Sequence, residues 1–428
     1  MDGHYIDSYY TRSIGTPPCY ETLDQTIRTN VCIIGGGLAG IATAFALKER
    51  GVETVLLESN RLGWGASGRN GGLVLTGYAA DTKKIIQKVG MANAKALYGL
   101  TIEATRIIRD RISKYAIPCL PVDGSISASW FRDTAPLADD AAFLTDIMGD
   151  EAIFWDTDEI RDTYRTNRYH GAIFFPRHFH MNPLIYLRHI AAQIHDKSHP
   201  IFENSPAISI TENKDGLIIR TAKGTVKADH LVYCGSAYSN GVIRKFNRHC
   251  MPVQTFVLKT APLADEDMKA AIRKPYAVCD TRWASDYYRV LEDNSLLWGG
   301  RVHLGENPGN IKEAILADIT KVYPQLSGKL SCEVFWGGRM GYNSHKMPSI
   351  GRLRPHIWHS THYGGNGLGP TTAGGELIAD GITGKNDNYK LFAPFGHGLP
   401  AGGKTGAVIG QAVYQSWCLA DRLHTALK

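Results

Sequence analysis

Apolar and polar positions alternate along the chain in a pattern that predicts alternating strands and helices. An apolar run at 30–34 (NVCII) is followed by glycines, then by a helical stretch at 41–50 that Gly51 stops, then by a second apolar run at 53–57. Further on, Leu97, Leu100, Ala104, Ile107, Ile108 and Ile112 recur at spacings of three and four, which marks one buried face of a helix over 92–115. Residues 123–130 alternate as a strand, and more strands are predicted at 252–260, 286–291 and 295–303. A helix over 183–195 opens on Asn182-Pro183, with proline in its favoured first turn. Short strands follow at 201–210, 217–221 and 225–226, and the run 230–234 leads into Gly235-Ser236-Ala237.

The first of these units carries chemistry. Between its strand and its helix stand Gly35-Gly36-Gly37-Leu38-Ala39-Gly40, and its second strand ends in Glu58. In this fold context Gly35 makes the tight turn, Gly37 lets the backbone approach a pyrophosphate, and Gly40 lets helix and strand pack closely. The helix N-terminus offers free N–H groups and its positive dipole end to phosphates. Glu58, 18 residues after Gly40, is placed to accept the hydroxyls of an adenosine ribose and to repel a 2′-phosphate.

Glycine makes up 45 of 428 residues, above the usual share of roughly 7%, and much of it is clustered. One cluster lies just past Glu58, where Ser67, Gly68, Arg69, Asn70, Gly71 and Gly72 form a polar loop suited to an extended diphosphate and flavin. Another runs from Gly364 to Gly369 into Pro370 and a helix through Ile378. A glycine loop feeding a helix N-terminus aims N–H groups at charge developing on a bound ring.

Composition narrows the alternatives. The net charge of +6 comes without a Lys/Arg run, which argues against a nucleic-acid partner. The eight cysteines show no CxxC and read as reduced and buried. His170, His178 and His180 lack the carboxylates and spacing of a metal site, so no metal is expected. The N-terminal residues lack a signal-peptide pattern and no apolar stretch is long enough to span a membrane, so a cytoplasmic protein is expected.

The loop GWGASGRNGG at 63–72, with Pro176-Arg177, Trp336-Gly337-Gly338-Arg339 and the segment 364–378, resembles the D-amino-acid oxidase superfamily of FAD enzymes over nearly the whole chain. Within it the loop is most similar to enzymes of the gamma-glutamylputrescine-oxidising type, with glycine and sarcosine oxidases more distant. The resemblance implies an α/β protein: a Rossmann-like FAD-binding domain interleaved with a smaller α+β substrate or cap domain on a mixed, mainly antiparallel sheet. The expected segments are 27–80, 165–250 and 340–428 for the FAD domain and 81–164 and 251–339 for the cap. It further implies that Gly35, Gly37, Leu38, Ala39, Gly40, Glu58, Ser67, Gly68, Arg69, Asn70, Gly71, Gly72, Gly235, Gly365, Gly367, Leu368 and Gly369 bind FAD.

Bound FAD would take a hydride from the carbon beside the nitrogen of a small amine, giving an aldehyde and ammonia, with oxygen as acceptor. Oxidation of a glycine- or sarcosine-like amino acid is the alternative, and a flavin-holding protein without turnover a third. Arg339 is expected to grip a substrate carboxylate, since an arginine at a similar strand end does so in amino-acid oxidases. Trp298 and Tyr288 are expected beside the substrate, with Trp64, Tyr287 and Tyr342 as further wall residues and Arg289 and Arg69 as weaker arginine choices. Members that attach FAD covalently use a cysteine at the position where Arg339 stands; Cys332 lies too early, so the FAD is expected to be non-covalent. The lysine that helps oxygen react in those members has no counterpart around Trp298.

Overall fold

The computed structural model describes residues 4–214, 216–239, 241–303 and 309–427. Two sheets organise them. At the centre of the first is Thr26–Ile34, which pairs in parallel with Thr54–Leu57 on one side and Thr225–Tyr233 on the other. Ile201–Phe202 and Ile357–Thr361 extend the parallel array outward, and Ser349–Arg354 closes one edge antiparallel. Val31 to Ile34 are all buried, as a parallel strand covered on both faces requires.

Leu38–Glu49 crosses over between the first two strands. Leu38 to Leu47 are buried without a polar stripe, because the helix is packed against Pro183–Ile194, Leu368–Thr383 and the sheet. Its end is tied down by Arg50, which donates to Asp380 at 2.6 and 2.9 Å and to Glu376 at 2.8 Å. That guanidinium joins the two helices whose opposite ends face the cleft described below.

The second sheet runs in the order Cys332–Tyr342, Met251–Thr260, Leu296–His303, Tyr287–Val290, Ala277–Asp280, Val122–Ala128, Ala172–His180 and Leu73–Val74, with Ile153–Trp155 added beside Ala172–His180. Only Ala277–Asp280 with Val122–Ala128 is parallel among its described pairs. It is the mixed, mainly antiparallel sheet that the resemblance implies.

Three segments fall elsewhere than expected. Ala172–His180 belongs to the second sheet although 165–250 was assigned to the FAD domain. Thr82–Lys114, longer than the expected 92–115 and broken at Gly90 with φ of 77°, packs chiefly along Leu368–Thr383, although it also touches Leu144–Met148 and pairs Arg109 with Asp123 of the expected cap. Gly403–Leu427 lies against Met251–Thr260 and Leu296–His303, not against the first sheet. Hydrophobic periodicity identifies a buried face but not the surface that buries it. Among the described residues no helix is long and apolar enough to cross a membrane, and every cysteine is free.

Candidate active site

A cleft of about 1840 Å³, counting space open to solvent, lies where the two sheets meet. Two helix N-termini open onto it. Leu38–Glu49 begins at Gly37 and Leu368–Thr383 begins at Gly367, neither capping residue offers a side-chain hydrogen bond, and both lie in the cleft wall. Their first-turn N–H groups, with the dipole behind them, form an anion-seeking surface.

Of the residues expected to bind FAD, Gly37, Leu38, Ala39, Ser67, Arg69, Asn70, Gly71, Gly365, Gly367 and Leu368 line this cleft. Ser67 accepts the Leu38 N–H on its hydroxyl at 3.0 Å, which locks the polar loop onto the helix start. Gly35, Gly40, Gly68, Gly72, Gly235 and Gly369 stand behind the wall. Gly40 shows why: a Cβ there would overlap the carbonyl oxygen of Gly35, so helix and turn pack only with glycine. Glu58 lies just outside the lining, accepting N–H groups from Gly36 at 2.6 Å and Asn60 at 2.8 Å, and burial raises its carboxyl above the usual range.

The chain's own groups fit the cofactor. Arg69 is 8% exposed and lies against the edge-on pair of Trp64 and Tyr238; its Nε donates to the Trp64 carbonyl at 2.8 Å, yet its buried Nη2 has no partner among the described residues. A buried guanidinium nitrogen left unpaired costs free energy, and the anionic portion of FAD would satisfy it.

The opposite wall departs from the sequence reading. Tyr287 and Tyr342 line the cleft, as expected. Tyr287 lies over Gly71 and Gly299, and Tyr342 over Gly364 and Gly365, where a Cβ would collide with either ring. Trp298 and Tyr288 do not reach it. They stack on each other at 4.1 Å in the second-sheet core, and the Tyr288 hydroxyl is occupied by Tyr169 and Tyr323. The reason is the two-residue period of a strand, which sends Tyr287 to the cleft and Tyr288 to the core.

The same alternation corrects Arg339. Gly338 and Met340 line the cleft, while Arg339 between them is exposed and outside it. Arg289 is buried and fully engaged, donating to the Gly71 and Met181 carbonyls, Tyr10 and His180, so it holds the fold together. Trp64 packs against Arg69 and Tyr238 behind the lining.

What the sequence reading missed is Asp286, the only carboxylate among the described cleft-lining residues. It follows strand Ala277–Asp280 by a short turn and precedes Tyr287. Arg282 donates to its Oδ2 at 2.9 Å, while its Oδ1 takes no hydrogen bond among the described residues and occupies the space where a Cβ of Gly300 would sit. Burial pushes its carboxyl up to about 6. Lys346 also lines the cleft, over the Trp417 ring at 4.3 Å and without an acid partner among the described residues; burial lowers its ammonium from the usual value. Tyr414 and Trp417 reach the cleft from the last helix, for which no motif gives a signal.

The histidines at 170–180 serve the fold. His178 contacts Ser125 and Thr76 at 2.8 Å each, and His180 contacts Arg289 and the Pro275 carbonyl. Among the described residues no group of three or more His, Cys, Asp or Glu side chains is arranged to hold a metal ion.

Two sheets meeting at a cleft under two anion-seeking helix N-termini suit a dinucleotide cofactor, and the FAD dependent oxidoreductase family matches residues 30–381. The chain belongs to that family, the D-amino-acid oxidase superfamily its motifs resemble, and acts on amines or amino acids with FAD as cofactor. It is 31% identical to the gamma-glutamylputrescine oxidoreductase of Escherichia coli (strain K12), over 98% of this chain and 99% of that one. In fold it is similar to the L-proline dehydrogenase of P. horikoshii (TM-score 0.70, 15% identity, 89% of this chain and 100% of that one). It is likewise similar to the glycine oxidase of Bacillus cereus ATCC 14579 (TM-score 0.69, 20% identity, 85% and 97%).

Proposed function

We propose that this enzyme oxidises the C–N bond of a small amine of the gamma-glutamylputrescine type, giving an aldehyde and ammonia, with dioxygen as electron acceptor. FAD held non-covalently in the cleft would supply the two-electron oxidant for the carbon that bears the nitrogen, and water would release the aldehyde and ammonia. The polar loop at Ser67–Gly72 and the two helix N-termini would hold FAD, with Glu58 on its adenosine side and Arg69 on an anionic portion.

The observation that carries the amine reading is Asp286. It is the one carboxylate among the described cleft-lining residues, its Oδ1 takes no hydrogen bond among them, and burial raises its carboxyl to about 6. An ammonium entering the cleft pairs with that oxygen, and transfer of a proton to it leaves the neutral amine that oxidation requires. Tyr287 and Tyr342 form an aromatic wall that excludes water around the reacting carbon. Lys346 brings positive charge to the same cleft and supports the choice of dioxygen, whose reduction develops negative charge.

Lys346 also favours the second reading, a glycine- or sarcosine-like substrate, because an unpaired lysine in the wall suits a carboxylate. Supplying both substrate types to the aerated enzyme separates them. Aldehyde, ammonia and peroxide in equal amounts from gamma-glutamylputrescine support the first reading; turnover of the amino acids alone overturns it. We place the enzyme in the cytoplasm, consistent with its free cysteines.

A further inference from the structure

A second cavity, about 1050 Å³ with its open space, adjoins the cleft; Ala284, Asp286, Arg301 and Tyr414 line both. The carboxylate assigned to the reacting amine therefore stands in the wall between the two. A substrate whose reacting carbon lies in the cleft and whose nitrogen meets Asp286 has the second cavity as the space for the rest of its chain.

The charges of that cavity are mostly compensated from within. Arg282 is held by Asp280 and Asp286 at 2.5 and 2.9 Å. Arg301 and Lys321 share Asp318. Asp421 is 6% exposed and accepts the backbone N–H groups of Trp283 and Ala284 at 3.0 Å each. Two cations are left over: among the described residues neither Arg168 nor Arg422 has an ion-pair partner, and both line the cavity. Arg168 rests over the Trp130 ring at 5.2 Å, with the half-buried guanidinium steadied by that face. Arg422 is exposed on the last helix, at the cavity's outer side.

We propose that this second cavity is the distal subsite for the same substrate, in which Arg168 and Arg422 hold a carboxylate at the far end of a long amine. The assignment rests on the amine reading above and adds a requirement to it: the enzyme selects substrates by the charge at the end remote from the reacting nitrogen. Specificity of this kind comes from the guanidinium forks, which match a carboxylate in shape and charge. It also gives the C-terminal helix a part in recognition, since Tyr414 and Arg422 both lie on it.

The test compares two substrates in the holoenzyme: gamma-glutamylputrescine, and the same molecule with its distal carboxylate converted to a primary amide. The wild-type enzyme is expected to show the lower KM for the carboxylate. Arg168→Gln and Arg422→Gln are each expected to shrink that preference by about fivefold, as partly screened ion pairs do, through KM rather than kcat. Arg422→Glu, a reversal at an exposed position that leaves the core intact, is expected to turn the preference toward the amide. Equal KM values for the two compounds in wild type, or a preference unchanged in all three variants, overturn the subsite. Failure of both compounds to reduce the flavin overturns the amine reading itself, which is a separate result.

Discussion

The backbone N–H of Gly36 donates to the Glu58 carboxylate at 2.6 Å, so the glycine turn and the acid at the end of the neighbouring strand form one unit. The same carboxylate accepts the Asn60 N–H at 2.8 Å, which fixes the start of the polar loop. Glu58→Ala removes both anchors together with any contact to the ribose. Each charge-assisted hydrogen bond is worth about 1.5–3 kcal/mol. The variant is expected to purify largely as apoprotein at micromolar concentration, read from the ratio of flavin to protein absorbance. Full occupancy would show that the acid is not needed to hold the adenosine half.

Flavin attachment is the second expectation. Cys332 does not line the cleft, whereas Cys234 and Cys279 do. Burial pushes both of those thiols up to about 12, so at neutral pH they are protonated and poor nucleophiles. Acid precipitation is expected to release all the yellow colour into the supernatant. A yellow, fluorescent pellet would mean a covalent bond.

Trp298 separates core from site. It is 1% exposed and lies flat on Tyr288. Trp298→Ala is expected to cost about 3–5 kcal/mol of stability. Trp298→Phe, which keeps the stack, is expected to leave the rate of flavin reduction within about twofold of wild type, since surface and core changes that touch no reacting group act through stability. A large loss of rate in a stable Trp298→Phe protein would return the residue to the site.

These cases show what the sequence made legible. The strand–turn–helix unit, Glu58 and the two glycine loops carry their own local signals, because a close backbone approach or a phosphate-facing helix start demands particular residues at fixed offsets. The wall facing them has no such signature. Tyr287 and Tyr288, or Arg339 and Met340, differ by one position on a strand, and one position decides between cleft and core or cleft and solvent. Motif resemblance located the strands but not their facing. Asp286 was invisible for a related reason: its meaning comes from Gly300 on the next strand and from Arg282, contacts that only the folded sheet supplies.

A histidine cluster in which His359 and His362 are buried predicts acid sensitivity. His359 and His362 are held down to about 3 and His397 to about 4, in each case chiefly by burial and then by neighbouring positive charge. The rings lie close together, with His359 and His397 at 5.3 Å and His249 and His397 at 5.9 Å. Since their folded values lie below the ordinary 6.5, their contribution is fully present above that pH and is lost as pH falls toward the folded values. His359 and His362 should each withdraw about 1–2 kcal/mol between pH 7 and pH 5. Thermal unfolding of the holoenzyme is expected to show Tm falling steeply below pH 6.5; a flat Tm down to pH 5 would contradict the burial of these rings as neutral groups.

The central claim is that Asp286 receives the substrate's ammonium in a flavin cleft, and anaerobic flavin reduction tests it most directly. With gamma-glutamylputrescine, the wild-type rate is expected to fall as pH drops through about 6, because a protonated carboxyl neither pairs with the ammonium nor accepts its proton. Asp286→Asn, compared at matched flavin content, is expected to bleach the flavin at least about 10²-fold more slowly and to lose that acid limb. Reduction of Asp286→Asn at the wild-type rate, with the same pH profile, would contradict the account.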